Sequence, residues 1–424
     1  MPVTQIEALA AWGAHDRDDP FPVYDEVRRR GPVHRVTLAD GHGAWLVVGY
    51  DEARLALNDA RLSKDMLAAM DSGDAVVAEG LPGRAFARHM LSVDPPDHSR
   101  LRGLVSKAFT PRRVEELRPA VQKLVDDLLD DIAAQGPDAR VDLVASFAFP
   151  LPFSVICELL GVPEPERGPL GRGLTALLMP TATAEEYARA KEASDLVVGM
   201  LDDLVATKQR APGDDLVSGL ILARDGDERL STQELLSTIF QLIVAGHDTT
   251  ASFIGNAVVA LWTHPDQLGE LRADADALNA AVEELLRYDA PVPHSTFRYT
   301  VADVELGGVT IPAGDQVIIS LAAANRDATL YADADLLDLD RPRARHLAFG
   351  YGIHHCLGAP LARMEGQLAL SALLQRFPEM RLAVPVQDLH WSHGDGLVLR
   401  GLAELPVVPG PAVSAPDVTT APGW

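Results

Sequence analysis

The spacing of apolar residues along the chain predicts a mainly α-helical protein. Apolar side chains recur at intervals of three and four residues, as they do on one face of a helix. In the longest such run, residues 231–263, Ser231 and Glu234 form a capping box and Pro265 follows the last turn. The other predicted helices span residues 22–30, 51–58, 98–109, 112–134, 153–160, 185–209, 277–288 and 359–377.

Alternating or β-branched residues predict short strands towards the two ends of the chain. These strands span residues 34–36, 44–48, 304–306, 309–311 and 316–320, with more after Leu382. No linker or internal repeat interrupts residues 1–408, so we expect a single domain in which helix exceeds strand. Residues 409–424 are rich in proline, alanine and threonine, and we expect a disordered tail there.

A glycine-rich loop near residue 350 contains one of the two cysteines of the chain. The segment Phe349–Gly358 reads FGYGIHHCLG and leads directly into a predicted helix. Its glycines, Gly350, Gly352 and Gly358, let the backbone approach a flat ligand closely, and a thiolate at Cys356 suits the axial position of a haem iron. Backbone amides directed at the sulfur would tune its electron donation. The alternative is an inert, buried cysteine.

The middle of the longest predicted helix carries polar residues where a buried helix should be apolar. Its segment Ala245–Thr250 reads AGHDTT. Gly246 costs about 1 kcal/mol relative to alanine, and a buried Asp248 costs more unless it is paired or meets water. We interpret the segment as a local distortion that opens a pocket beside the helix, because an acid next to a hydroxyl, as in Asp248 and Thr249, can relay protons through water. The alternative is a threonine bonded back to its own helix beside a solvated aspartate.

These motifs resemble those of the cytochrome P-450 monooxygenases. The loop matches the family's haem-binding signature at every fixed position, and AGHDTT resembles the family's oxygen-activation motif. In EELLR, Glu284 and Arg287 share one helix face and look like the family's structural E-x-x-R pair, with Arg341 as a third member. In an unrelated chain such a pair would be typical of any surface helix. The resemblance runs from residue 19 to about residue 408 and implies the family fold, a triangular α-helical bundle with a small β-rich lobe.

The resemblance implies haem b as the cofactor, with Cys356 as the ligand of its iron. Haem carries two propionates, and buried carboxylates need charge-assisted partners. By resemblance, the residues that hold the propionates are His98, Arg102, Arg298 and His354; the alternative for each is an ordinary surface cation. The other residues implied to contact the cofactor are Phe349, Gly350, Gly358, Ala245 and Gly246.

The activity implied by the resemblance is monooxygenation, with Asp248 and Thr249 as the catalytic acid and alcohol. The chain closely resembles actinobacterial tailoring hydroxylases, which implies hydroxylation or epoxidation of a bulky macrolide, polyketide or terpenoid. The segment from Leu62 to Met90 has the length and composition of a mobile lid. The pocket residues implied are Leu242, Ala245, Thr249, Val292, Pro293 and Leu397.

Composition and charge limit the possible partners and the cellular compartment of the protein. A net charge of −24 on 424 residues excludes nucleic acid as a partner, because phosphates would be repelled. Two cysteines fit a reducing compartment better than a disulfide framework. The amino end resembles no signal peptide, and no run of about 18 apolar residues occurs. We therefore expect a cytoplasmic protein without membrane attachment, and a monomer.

Basic residues near the two haem-binding motifs predict a docking surface on this acidic chain. An acidic ferredoxin, itself reduced by an NAD(P)H-dependent reductase, would be steered to such a surface. One rival interpretation is a peroxygenase that uses hydrogen peroxide, although Asp248 and Thr249 argue against it. Another, in which His354, His355 and Cys356 form a metal or sensor site, conflicts with their consecutive positions. The basic residues are Arg100, Arg102, Lys107, Arg112, Arg113, Arg343, Arg345 and Arg363.

Overall fold

The computed structural model describes residues 18–38, 41–65, 86–178, 183–223, 229–273, 277–342, 345–392 and 398–413. Helices account for most of these residues, as the apolar spacing predicts. The helices are α1 (Phe21–Arg30), α2 (Tyr50–Asn58), α3 (Asp97–Ala108), α4 (Pro111–Glu116), α5 (Arg118–Ala133), α6 (Pro150–Leu160), α7 (Glu164–Leu178), α8 (Ala184–Arg210), α9 (Leu216–Leu222), α10 (Thr232–Trp262), α11 (Pro265–Ala273), α12 (Leu278–Tyr288), α13 (Leu321–Asn325) and α14 (Ala359–Arg376). A π-helical turn, Val144–Ala148, leads into α6.

The strands form one mixed sheet and three smaller pieces. The larger sheet has the order β1-β2-β8-β5-β3, in which only the β2–β8 pair is parallel. Strands β4, β12 and β9 form a second sheet, and β6–β7 and β10–β11 form antiparallel pairs. The strands are β1 (Val33–Thr37), β2 (Gly43–Val47), β3 (Leu62–Ser63), β4 (Val141–Asp142), β5 (Arg298–Thr300), β6 (Val304–Leu306), β7 (Val309–Ile311), β8 (Gln316–Ile319), β9 (Arg381–Leu382), β10 (Trp391–Ser392), β11 (Gly401–Leu402) and β12 (Pro406–Val408).

Helix α10 lies at the centre of the main hydrophobic core. It begins at the predicted capping box, in which Ser231 and Glu234 bond each other's backbone amides, and it packs against α6, α8 and α14. Gly366 of α14 permits the last contact, since a Cβ there would lie 2.5 Å from a ring carbon of Phe253. Two smaller cores lie around the larger sheet. The β-rich part therefore packs as a lobe beside the helical bundle.

The sequence-based expectation omitted α7 and the short helices α9, α11 and α13, and it joined α4 to α5. The predicted helix 112–134 is divided at Leu117 into α4 and α5, because Pro119 in the first turn of α5 lacks an amide hydrogen to continue a helix. Helix α7 was not predicted, since it contains Pro169 and several glycines that normally lower helix propensity. One of these, Gly173, lets α7 lie close to α8: a Cβ there would contact Val197 at 3.0 Å.

The described chain extends past residue 408, where the sequence predicts the domain to end. The amide of Gly410 donates to the carbonyl of Pro137 at 3.0 Å, and that of Val413 to the carbonyl of Arg376 at 2.9 Å. The rest of the predicted tail lies outside the described residues. Within the described ranges, no single helix has the length and hydropathy to span a membrane; the pair Val144–Leu160 and Glu164–Leu178 meets that criterion only jointly, across a bend of 119°.

The predicted Glu284–Arg287 pair lies inside the protein, not on a surface helix. Arg287 of α12 has no exposed side-chain surface, and it binds the Glu284 carboxylate with two bonds of 2.7 Å. Its remaining donors reach the carbonyls of Asn325, Ala334 and Leu336 at 2.7–3.0 Å. All the guanidinium hydrogens are therefore used, and the pair fixes the segment that precedes the cysteine loop.

Arg341 joins this network, as the sequence suggested. Its Nε donates to Glu284 Oε1 at 3.2 Å, and its other nitrogens donate to the carbonyls of Ala332, Asp333 and Leu336. The backbone amide of Asp338 also donates to Glu284 Oε1, at 3.1 Å. Through Arg287 and Arg341, the Glu284 carboxylate thus holds both ends of the segment 325–341 in place.

Replacement of Arg287 by methionine should lower the free energy of unfolding by about 3–5 kcal/mol, because Glu284 would remain as a buried, unpaired charge. The matched control is Arg189→Met, which breaks an exposed ion pair with Glu185 and should cost about 0.5 kcal/mol or less. Urea unfolding of both variants checks this prediction. Equal losses in the two variants would contradict the anchoring role of Arg287.

Candidate active site

The cysteine loop is held in a tight conformation by its own backbone and by α2. The amide of Gly350 donates to the carbonyl of Leu347 at 2.8 Å, and that of Cys356 to the carbonyl of Phe349 at 2.9 Å. Gly352 has a φ of +75°, and a Cβ there would lie 2.7 Å from Oδ1 of Asn58. This glycine is therefore required both by its left-handed backbone and by the closeness of α2.

Cys356 is a free, solvent-accessible cysteine in electropositive surroundings. Nearby protein atoms raise the pKa of its thiol, while the backbone amides of Gly358 and Ala359 and the guanidinium groups of Arg102 and Arg363 oppose that rise. Amides and cations of this kind stabilise a sulfur that has exchanged its proton for a metal ion. The sequence-based expectation of amides directed at the sulfur agrees with this geometry.

The second cysteine, Cys157, has a different environment. It lies on α6 and is completely buried in the main core. Burial raises the pKa of its thiol to about 11. Cys157 is thus a core residue, as its apolar sequence context indicates.

The four predicted propionate-binding residues converge beside the cysteine loop. The rings of His98 on α3 and His354 in the loop lie 4.4 Å apart, and Nη2 of Arg102 donates to the carbonyl of His355 at 2.6 Å. Arg298 begins β5 and is only 4% exposed. Among the described residues, neither Nε of Arg298 nor Nε2 of His354 has a hydrogen-bond partner, although both atoms are buried.

Two further basic residues, Lys64 and His89, belong to the same group and were missed by the sequence analysis. Burial lowers the pKa of Lys64 to about 7 and that of His89 to about 4, and each is lowered further by a neighbouring cation. Burial and the surrounding cations also lower the pKa of His354 to about 2. These residues come from four separate parts of the chain, so only the folded structure brings them together. Such an accumulation of buried basic groups with lowered pKa values fits a ligand whose carboxylates would favour their protonated forms.

The predicted oxygen-activation segment lies in the middle of α10, which continues through it without a break. Thr249 Oγ1 donates to the carbonyl of Ala245 at 2.8 Å, and Oδ1 of Asp248 is 2.9 Å from Nε2 of His247. The structure thus has the back-bonded threonine of the alternative interpretation, in place of an interrupted helix. Ala245 is exposed although it lies halfway along a core helix, and that exposure opens space beside Thr249.

Gly246 has a packing role in this helix. A Cβ at this position would lie 3.3 Å from Cδ1 of Ile156 on α6. The close contact between α10 and α6 accounts for a glycine that the sequence analysis connected with the cofactor. The same turn also packs through His247, whose ring contacts the edges of Phe149 and Phe153.

A buried carboxyl on α14, Glu365, lies behind the segment and was also missed. Burial raises the pKa of Glu365 to about 8, although a hydrogen bond with Thr250 lowers it in part. Its Oε2 has no partner among the described residues. Glu365 is therefore protonated and uncharged at neutral pH. A glutamate in an amphipathic helix normally indicates a surface position, so the sequence contains no signal for this buried carboxyl.

The residues predicted to line a substrate pocket are only partly described. Leu242 and Val292 are partly buried, and Pro293 is buried beside α13, where its carbonyl accepts a bond of 3.0 Å from Ala322. Leu397 and residues 66–85 of the predicted lid lie outside the described residues.

A second buried carboxylate positions the loop from the side of α12. Glu283 accepts two bonds from Arg363, at 2.6 and 2.9 Å, and lies 3.1 Å from Nε2 of His346. The Arg363 guanidinium also lies over the ring of Phe349, 4.4 Å from its centroid. Burial would raise the pKa of Glu283, but the bonds from His346 and Arg363 prevail and lower it to about 2.

Comparison with known proteins identifies the class to which this fold and site belong. A family model described as "Cytochrome P450" matches residues 174–383. The cytochrome P450 monooxygenase PikC of Streptomyces venezuelae is 46% identical over 400 residues, which cover 94% of this chain and 93% of PikC. The chain therefore belongs to the cytochrome P450 family, and it is a monooxygenase of that family.

Further relatives agree over nearly the whole length. The 6-deoxyerythronolide B hydroxylase of Saccharopolyspora erythraea is 44% identical over 395 residues, covering 92% of this chain and 96% of the hydroxylase. The solved structure of the P450 monooxygenase TamI with tirandamycin C has 43% identity and a TM-score of 0.81, covering 92% and 98% of the two chains. The fold class expected from the sequence is confirmed.

Family membership implies a haem cofactor, and the described residues fit one. A free thiol lies at the end of the glycine loop, next to buried basic side chains that include the unpartnered nitrogens of Arg298 and His354. Haem presents an iron that binds thiolates and two carboxylates that bind such cations.

Replacement of Glu283 by glutamine should destabilise the protein in a pH-dependent manner. Since the pKa of Glu283 is lowered on folding, its carboxylate stabilises the fold above its ordinary pKa of about 4.3, and this contribution is lost as the pH falls towards 2. The difference in unfolding free energy between wild type and Glu283→Gln should therefore shrink between pH 5 and pH 3. Urea unfolding at several pH values measures it.

The control for this experiment is Glu115→Gln, which removes an exposed carboxylate paired with Arg118. It should have little effect at any of these pH values. A difference for Glu283→Gln that is the same at pH 6 and pH 3 would contradict the assigned role.

Proposed function

We propose that this protein is a haem-dependent monooxygenase that hydroxylates or epoxidises a bulky hydrophobic secondary metabolite. The substrate class is a macrolide, a polyketide or a terpenoid, and the electrons come from ferredoxin. One observation carries the proposal. An accessible thiol, a group of buried basic side chains with nitrogens that lack partners among the described residues, and the Asp248–Thr249 segment occur together in a monooxygenase fold.

Haem would be held by Cys356 at its iron and by His98, Arg102, Arg298 and His354 at its propionates. When bound, it supplies an iron that binds dioxygen and accepts electrons one at a time. The amides of Gly358 and Ala359 limit the charge on the sulfur and so tune its electron donation. The residues that would pack against its faces and edges are Phe349, Gly350, Gly358, Ala245 and Gly246.

Asp248 and Thr249 would deliver protons beside the exposed Ala245. The Thr249 hydroxyl, now bonded to the Ala245 carbonyl, can turn to donate to a water in the open space. The side chain of Asp248 is 32% exposed, so its carboxylate can exchange protons with solvent, while His247 fixes its orientation. Together these groups can carry a proton from solvent to the pocket without admitting bulk water.

The substrate class is supported by the relatives. A hydroxylase of 6-deoxyerythronolide B and a monooxygenase that holds tirandamycin C align over more than nine-tenths of this chain. Leu242, Val292 and Pro293 would provide apolar walls. Apolar lining of this kind suits a large, weakly polar substrate.

Ferredoxin as electron donor is supported by charge, although by fewer residues than the sequence suggested. Several predicted docking residues are occupied in the structure: Arg100 by Glu234, Arg113 by Asp214 and Arg363 by Glu283. Arg112 pairs with Glu116 of its own helix, but its side chain is 88% exposed on α4, which packs against the helix that follows the cysteine loop. The other exposed members of the predicted surface in the described chain are Lys107 and Arg345.

The first experiment is an absorption spectrum of the purified protein, reduced under carbon monoxide. A strongly red-shifted Soret band that is absent in Cys356→Ala is the expected result. Macrolides, linear polyketides and terpenoids are then titrated against the ferric protein, with short fatty acids as a comparison. We expect a spectral shift, from displacement of water at the iron, with at least one of the first three classes and not with the fatty acids.

Turnover of the compound that gives the spectral shift distinguishes a ferredoxin-dependent monooxygenase from a peroxygenase. Product should form with ferredoxin, reductase and NADPH, and far more slowly with hydrogen peroxide alone. Product from peroxide at an equal or higher rate would instead establish a peroxygenase. Absence of haem absorbance from protein expressed with ample haem precursor would overturn the proposal.

Thr249→Ala should lower the fraction of consumed NADPH that appears as product by at least about tenfold, because proton delivery then loses its hydroxyl. The matched control is Thr263→Ala at the end of the same helix, where the hydroxyl likewise bonds back to a carbonyl, that of Val259, at 2.8 Å. Oxygen uptake, peroxide and product are measured in parallel. Equal coupling in the two variants would exclude Thr249 from proton delivery.

A further inference from the structure

The ammonium group of Lys64 is buried and donates hydrogen bonds to uncharged oxygen atoms. This residue follows β3 directly and is 6% exposed. Its Nζ donates to Thr296 Oγ1 and, at 3.2 Å, to the carbonyl of Phe297. Burial of a charged amine is unfavourable unless an opposite charge compensates it. The position of this side chain therefore indicates that an anion belongs nearby.

The sheet brings a second buried cation close to Lys64. Strands β3 and β5 are antiparallel, with Leu62 opposite Thr300 and Ser63 opposite Tyr299. Lys64 follows the last residue of β3 and Arg298 is the first residue of β5, so the two cations lie at the same end of this pair of strands, where the charge of Arg298 lowers the pKa of Lys64. The Arg298 guanidinium donates to the carbonyl of Leu62 at 3.2 Å, and its Nε has no partner among the described residues. Two like charges held this close are destabilising.

In the described structure, the carboxylate of Asp94 acts electrostatically on both Lys64 and Arg298, but it already accepts two other hydrogen bonds. This carboxylate accepts bonds from the hydroxyl of Ser63 and, at 3.0 Å, from the backbone amide of Lys64. Burial and the charge of Arg298 together lower the pKa of Lys64 to about 7, against a smaller opposing effect of Asp94. Burial also lowers the pKa of Arg298 to about 10. One carboxylate does not balance these two cations.

We infer that Lys64 is a haem-binding residue whose ammonium, with the Arg298 guanidinium, clamps one of the two propionates. This assignment adds a cation to the four that the family motifs imply. It depends on the haem and not on the identity of the substrate. Its physical basis is that a dianionic edge of the cofactor removes the repulsion between two cations that the sheet register forces together.

The test compares Lys64→Met, Lys64→Arg and a control, Lys123→Met, which removes an exposed lysine paired with Asp127. Methionine keeps the volume of the lysine stem and removes the charge. Ferric holoprotein is mixed with excess apomyoglobin, and the rate of haem transfer is followed. Lys64→Met should lose haem about tenfold faster, as for the loss of one charge-assisted hydrogen bond. Lys64→Arg and Lys123→Met should stay within about threefold of wild type.

A second measurement separates a charge effect from a packing effect. A cation at a propionate favours the reduced iron, so Lys64→Met should shift the ferric/ferrous midpoint potential to more negative values. Lys64→Arg should restore the potential of the wild type. Unchanged haem transfer in Lys64→Met, or a loss that arginine does not rescue, would overturn the inference. In either case the carbon monoxide spectrum of the wild type would still report on the proposed function separately.

Discussion

The buried Arg287 guanidinium is the interaction on which the placement of the cysteine loop depends. Its bonds to Glu284 and to three backbone carbonyls leave none of its donors unused. From there a chain of bonds continues to the loop: the side chain of Asn325 accepts from Leu347 at 2.6 Å, and Leu347 accepts from Gly350. An ion pair of this kind adds little to net stability over an apolar replacement, but it defines one geometry. Here that geometry fixes the chain that leads to Cys356.

The active-site side of the molecule combines close helix packing with a few polar side chains. Helix α10 is held close to α6 by Gly246 and to α14 by Gly366, so its position relative to the loop has little freedom. Against this background Thr249, Asp248 and Glu365 introduce groups that can hold or release protons. A rigid helix keeps such groups at constant distances, which catalysis by proton transfer requires.

Motifs made of neighbouring residues could be predicted from the sequence, because all the residues that define them lie within one short segment. The loop of Cys356 and the capping box of α10 are of this type, and the resemblance also extended correctly to the Glu284–Arg287–Arg341 network. Contacts between distant segments could not be predicted in this way. Lys64 and Arg298 are separated by more than two hundred residues, and only the β3–β5 register brings them together. The ion pair of Arg363 was not predicted for the same reason, since its partner Glu283 lies on another helix.

The group of buried basic residues affects how stable the polypeptide is in the cell before it binds haem. Lys64 and Arg298 repel each other, and burial together with these charges disfavours a proton on His354, so a bound dianion would stabilise the folded state. Chains made while haem is scarce would therefore open more often in this region and would be cleaved more readily by proteases. Haem supply would then affect the abundance of the enzyme as well as its activity.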